Sequence, residues 1–189
     1  MTSTATQSPA AETLVPWQID AAHSEVEFSV RHLMISNVKG RFGTFSGSVA
    51  IDAQHPEAPS VDVQIGVASI DTREAKRDAH LRSADFFDVE KFPEITFKAR
   101  RSTDDIEGTF KLTGDLTIRG TTREIVLDVA LEGRGDDPWG NERLGYAATG
   151  KIDRRDFGLT WNQALETGGL TVGHDVKIMI LTELVRKKS

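Results

Sequence analysis

The sequence predicts an all-β protein: about eight long antiparallel strands closed into a barrel, with one short helical excursion and an apolar interior. Three observations carry that expectation. Apolar and polar residues alternate with a period of two along most of the chain. The alternating runs are long; ten to twelve residues span about 33–40 Å, more than the usual strand of a β-sandwich. One segment, Thr72–Ser83, drops the alternation and holds good helix formers without Gly or Pro.

The elements follow in order. Met1–Thr13 is rich in Ser, Thr, Ala and Gln and lacks apolar periodicity, so it reads as a disordered tail before one domain over residues 14–189. Alternation begins at Trp17. In Ser24–His32, Val26, Phe28 and Val30 face one way, and Glu25, Glu27, Ser29 and Arg31 the other. Arg41–Asp52 sets Gly43, Phe45, Gly47, Val49 and Ile51 on one side, and Val61–Ser69 does the same with Val61, Val63, Ile65 and Val67. The helical excursion comes next, with Asp71 or Thr72 as its expected cap and Glu74 in its first turn. Phe86, Phe87 and Phe92 follow, and Pro93 ends it. Ile95, Phe97 and Ala99 then alternate with Thr96, Lys98 and Arg100.

In Ile106–Ile118, Ile106, Phe110, Leu112, Leu116 and Ile118 share a face with Gly108 and Gly114. Ile125, Leu127, Val129 and Leu131 make the next run, then Leu144, Tyr146, Ala148 and Ile152. Asp175–Val185 is the last, with Val176, Ile178, Ile180 and Leu184 on one face and Met179 and Leu181 on the other. Gln54–Pro59, Asp104–Asp105 and the long Gly133–Gly140 are turn material, and Arg119-Gly120 reads as a tight hairpin.

Long strands with one apolar face have exposed edges, and closure into a barrel removes them. Glycines on the apolar face (Gly40, Gly43, Gly47, Gly108, Gly114 and Gly150) ease curvature and are expected to leave interior volume unfilled. About eight strands make a barrel just wide enough to fill itself or to hold one small ligand.

Composition excludes several functions. The 189 residues suit one domain, and a net charge of -6 argues against a nucleic-acid binder. With no cysteine there are no disulfides, thiolate metal sites or cysteine nucleophile. The five histidines, His23, His32, His55, His80 and His174, show no metal-ligand spacing, so no metal or other cofactor is expected. There is no nucleophile elbow, P-loop or G-x-G-x-x-G. No run approaches the ~18 apolar residues of a membrane span, and the first residues do not read as a signal peptide, so the cytoplasm is the expected compartment.

Several motifs stand in fixed order. Trp17-x-Ile19-Asp20-x-x-His23-Ser24 opens the domain, then His32 and Gly40-x-Phe42-x-x-Phe45-x-Gly47. Ser69-Ile70-x-Thr72 leads to Arg77-Asp78-x-His80-Leu81-Arg82-Ser83-x-Asp85-Phe86-Phe87-Asp88 and to Phe92-Pro93-x-Ile95-Thr96-Phe97. Later come Gly114-x-Leu116-Thr117-Ile118-x-Gly120-x-Thr122-Arg123, Arg155-x-Phe157-Gly158 and Val172-Gly173-x-Asp175-Val176. This set, from Trp17 to about Leu184, resembles the YceI-like family of polyisoprenoid-binding, lipocalin-like proteins.

The resemblance implies an eight-stranded antiparallel lipocalin-like barrel with a long apolar cavity. It also implies a lipid ligand: a polyprenyl phosphate, an isoprenoid quinone or a fatty-acid derivative, bound for transport, storage or sequestration. It implies no enzymatic activity. The expected ligand wall is Val26, Phe28, Val30, His32, Phe42, Phe45, Phe86, Phe87, Phe97, Phe110 and Leu112. Nine phenylalanines against one tyrosine suit a dry interior, although they would equally fill a solid core. In the helical excursion Arg73, Lys76, Arg77 and Arg82 form a basic patch suited to a lipid phosphate or a transient membrane-surface contact. There Arg77 is either a head-group contact or an architectural tie. A homodimer is compatible with the sequence. The competing readings are a small enzyme acting on an isoprenoid, with His23, His32 or His80 as acid–base, and a protein-binding module with a filled core.

Overall fold

The computed structural model describes residues 14–52, 59–103, 107–164 and 170–187. The described residues form eleven strands and one α-helix: β1 (Leu14–Ile19), β2 (Glu25–His32), β3 (Ser36–Phe42), β4 (Phe45–Asp52), β5 (Ser60–Gly66), β6 (Ile70–Asp71), α1 (Ala75–Arg82), β7 (Glu94–Ser102), β8 (Thr109–Ile118), β9 (Thr121–Asp136), β10 (Asn141–Asp153) and β11 (Val172–Lys187). All pairings are antiparallel, in the order β1-β4-β5-β7-β8-β9-β10-β11-β2-β3-β6.

Three pairs of strands are halves of one bent stave. β1 and β2 are separated by a 3-10 turn at Ala21–His23, β3 and β4 by Gly43 and Thr44, and β5 and β6 by a 3-10 turn at Val67–Ser69. β11 pairs with β2 over most of its length and with β1 near its end, through Gln18↔Val185 and Ile19↔Leu184. That closes an eight-stranded barrel, as the alternation predicts.

The bends explain where the sequence reading departs from the structure. Phe42 and Phe45 are three residues apart, so on a straight strand they would face opposite sides. The break at Gly43–Thr44 shifts the alternation, and both rings pack in the core. Gly43, expected on the apolar face, is exposed instead. Neighbouring staves bend together: Gly43 N and Thr44 N donate to the carbonyl and hydroxyl of Ser69, and Gly66 N to Thr44 O.

Gly133–Gly140 is not a long loop. Gly133 and Gly135 stay in the β9–β10 ladder, opposite Gly145 and Arg143, with a bulge at Glu132. The turn is only Asp137–Gly140, and the Asp137 carboxylate accepts from Trp139 N and Asn141 N. The cap of α1 is Glu74, which accepts from Lys76 N and Arg77 N, rather than Asp71 or Thr72. The hairpin at Arg119-Gly120 forms as expected, with φ of 50° and 71°, a type I′ pattern that suits strand twist. The readings for Met1–Thr13, for 54–58, for Asp104–Asp105 and for Ile106 lie outside the described residues.

Apolar side chains form two clusters. The larger runs through the barrel and packs Val67, Ile70 and Phe157 tightest, each 1% exposed. The smaller joins Trp17, Val49, Leu144 and Leu184. Arg186 lies 4.7 Å over the Trp17 ring, a cation–π contact that shields this cluster from water. Among the described residues, no helix is long and apolar enough to cross a membrane.

Candidate ligand-binding cavity

A cavity of about 580 Å³ runs inside the barrel. It is lined by the inward faces of the staves and, at one end, by Leu81, Phe86 and Phe87 from α1 and the segment after it. Of the residues expected on the wall, Val26, Phe28, Val30, Phe42, Phe45, Phe86, Phe87, Phe97, Phe110 and Leu112 all line it. His32 and Arg77 do not. Polar wall groups are few: Ser24, Ser102, Thr103, Tyr146, Thr182, Glu27 and Arg154.

Side-chain bonds to strand ends hold the helical cap over the barrel. The buried Asp78 carboxylate accepts from Thr72 N at 2.9 Å and Thr72 Oγ1 at 2.6 Å. Arg77 donates through Nε to Thr72 Oγ1 and through Nη2 to Thr72 O. Arg82 donates to Ala68 O and Ile70 O. Two arginines of the basic patch therefore serve as architectural ties, while Arg73 and Lys76 are exposed. Arg119 reaches from the β8–β9 hairpin to Ala84 O and Gly158 O. His80 bonds Asp85 at 2.8 Å and stands edge-on to Phe86 and Trp161.

Sequence reasoning passed over Arg154. It stands at the start of the 3-10 turn Arg154–Phe157, is 4% exposed, and lines the cavity. Its N–H groups donate to the carbonyls of Leu159, Trp161, Val172 and Gly173. The signal was weak because the sequence shows only adjacent arginines, Arg154 and Arg155, and not which one the turn buries. Gly158 follows in the left-handed region at φ 75°, and lets the chain reverse there.

The sequence matches the YceI-like domain over residues 17–184. The chain belongs to the YceI-like family. It is 40% identical over 169 residues to the UPF0312 protein ECA1782 of Pectobacterium atrosepticum, covering 89% of this chain and 84% of that one. BcnA of Burkholderia cenocepacia has the same fold, with a TM-score of 0.75 at 23% identity over 89% of this chain and 99% of that one. A polyisoprenoid-binding domain from Saccharophagus degradans aligns with a TM-score of 0.62 at 15% identity, covering 89% and 97%.

Much of the YceI-like signature is architecture. Trp17 and Phe157 are core, and Asp20 belongs to a charged knot on the barrel wall. Arg143 of β10 ties Asp20 at 2.7 Å, Asp137 at 3.0 Å and Glu183. Asp20, His23 and Glu183 bring three metal-ligand atoms within 4.8 Å, and the Arg143 guanidinium already bonds both carboxylates of that group. Of the histidines expected as acid–base groups, His23, His32 and His80, none lines the YceI-like cavity, and His23 is exposed and bonds Asp20.

Hydrogen bonds from Arg143 and His23 hold the Asp20 carboxyl at a pKa of about 2. Burial opposes ionisation of Asp137, but bonds from Asn141, Arg143 and Trp139 N outweigh it and bring that group to about 2 as well. Depressed carboxylate pKa values stabilise the fold above about pH 4, and that contribution is lost as the pH falls toward 2. Arg143→Gln should therefore weaken the barrel at pH 7, and its deficit should shrink between pH 4 and 2. Urea unfolding across that range checks this; a deficit independent of pH would show that the ion pairs are not its source.

Proposed function

We propose that this barrel binds a long-chain isoprenoid or other amphiphilic lipid, such as a polyprenyl phosphate, an isoprenoid quinone or a fatty-acid derivative, for transport, storage or sequestration. The observation that carries the reading is the cavity of about 580 Å³, walled by aliphatic and phenylalanine side chains with few polar groups. A well-packed core leaves few voids larger than a water molecule, so an interior of this size is built to be occupied. Each CH₂ buried contributes about 0.8 kcal/mol, and a long apolar chain gains affinity without directional contacts. The polyisoprenoid-binding domain from Saccharophagus degradans shares this fold and supports the ligand class. Among the described residues no histidine lines the wall, so the acid–base groups named for the enzyme reading do not face the interior.

The test is organic extraction of the purified protein followed by mass spectrometry, then titration of the delipidated protein with a fluorescent long-chain lipid. A co-purifying amphiphile in near-stoichiometric amount, and saturable uptake of the probe, are expected. No extracted lipid and no uptake would leave a hollow barrel without this role.

A further inference from the structure

A buried cation at the wall of a lipid-sized cavity needs a counter-charge, because charged groups are seldom fully buried unless paired. Arg154 is 4% exposed and lies at the end of the cavity closed by Phe86, Phe87 and Leu159. Its partners are four backbone carbonyls, at 2.8 Å for Gly173, 2.9 Å for Trp161 and 3.4 Å for Val172, together with Leu159. Carbonyls satisfy N–H groups but bring no net charge, and a guanidinium has five N–H donors, one more than these four acceptors take.

Neighbouring carboxylates are engaged elsewhere. Asp153 is gripped by Arg155, through Nε to both oxygens and through Nη2 at 2.5 Å. Asp175 pairs with Lys151 at 3.0 Å. Among the described residues, no carboxylate is bonded to Arg154. The surroundings also disfavour its charged form: desolvation lowers its pKa, although Asp153 nearby acts in the other direction. The arrangement holds a planar, fork-shaped cation in a dry wall with its charge uncompensated, which suits an oxyanion.

We propose that Arg154 anchors the ligand's head group, so that the barrel selects anionic amphiphiles, phosphate or carboxylate, with the head at the α1-capped end and the chain running toward the Trp17 end. The proposal rests on the lipid-binding reading above and adds the head-group charge and the orientation. It separates Arg154 from a mere strut for Leu159, Trp161, Val172 and Gly173, because a strut is indifferent to the charge of the ligand.

The experiment titrates delipidated protein with chain-matched pairs: farnesyl phosphate against farnesol, and palmitate against palmitamide. Charge-assisted hydrogen bonding in a dry site predicts that each anion binds about tenfold tighter or more. In Arg154→Gln the ratio of anion to neutral affinity within each pair should collapse toward one. In Arg154→Lys, which keeps the charge but loses the fork, part of the preference should remain. Equal affinity of the unmodified protein for the charged and neutral members of both pairs overturns the proposal, whether or not the variants fold. So does an anion preference that persists undiminished in a folded Arg154→Gln. Failure of all four compounds to bind would instead overturn the lipid-binding reading itself, so the two failures are distinct.

Discussion

Leu112→Trp should abolish uptake of a fluorescent long-chain lipid while leaving the midpoint of urea unfolding almost unmoved. Leu112 and Val30 both line the cavity. In a filled core, enlarging either side chain would cost about 1–3 kcal/mol through overpacking. Here the added ring enters empty volume, so the cost is small and the added apolar contact offsets part of it. Val30→Phe should behave in the same way. Binding of the probe and unfolding in urea, both on delipidated protein, decide the matter. Strong destabilisation by both substitutions, with the parent protein unable to take up lipid, would mean that the barrel is solid.

Gly114→Ala should do the opposite and damage the fold directly. A methyl group there would stand 2.5 Å from the Lys98 carbonyl oxygen and 2.6 Å from the Phe97 ring. The carbonyl is part of the β7–β8 ladder and cannot swing aside, and Phe97 is 8% exposed in the core. We expect a loss of about 3 kcal/mol, or a melting temperature lower by about 6–12 °C. Gly133→Ala, where nothing lies within 4 Å, is the control and should leave stability nearly unchanged. A Gly114→Ala protein as stable as that control would show that the barrel wall gives way more easily than its geometry says.

Gly114 and Gly40 correct one expectation drawn from the sequence. Inward glycines were expected to leave interior space, yet at Gly114 that space belongs to Phe97 and at Gly40 to Phe28, whose ring would lie 2.4 Å from an added methyl. The volume beside these two glycines is therefore filled by neighbouring rings. Alternation was enough to read the strands, because a period of two with one apolar face is a local property of each strand, and their length pointed to the barrel. It also placed Val26, Phe28, Val30, Phe97, Phe110 and Leu112 on the wall.

What alternation could not show were the breaks within staves and the partners of polar groups, since both depend on neighbours distant in sequence. Phe42 and Phe45 share the interior only because of the bend at Gly43–Thr44. Arg77, on sequence either a head-group contact or an architectural tie, is bonded to Thr72 Oγ1 and Thr72 O. Arg154, screened in the sequence by Arg155, emerged as the buried cation of the wall. Spacing alone also gave no sign that Asp20, His23 and Glu183 would meet around Arg143, because Glu183 comes from the last strand.

The seam between the first stave and β11 has a kinetic consequence. Its pairs, such as Val30 with Val176 and Gln18 with Val185, join residues 146 and 167 positions apart. Such contacts yield nothing until a very large loop has closed, so the chain meets most of its entropic cost before the seam rewards it. Hairpins such as β8–β9 can form early from local contacts, whereas the seam must come late. Until then the sheet has two free edges and an open apolar face, the kind of surface on which aggregation starts. Closing the ring thus creates the interior and, in the same step, ends the period in which the folding chain is most exposed to misassembly.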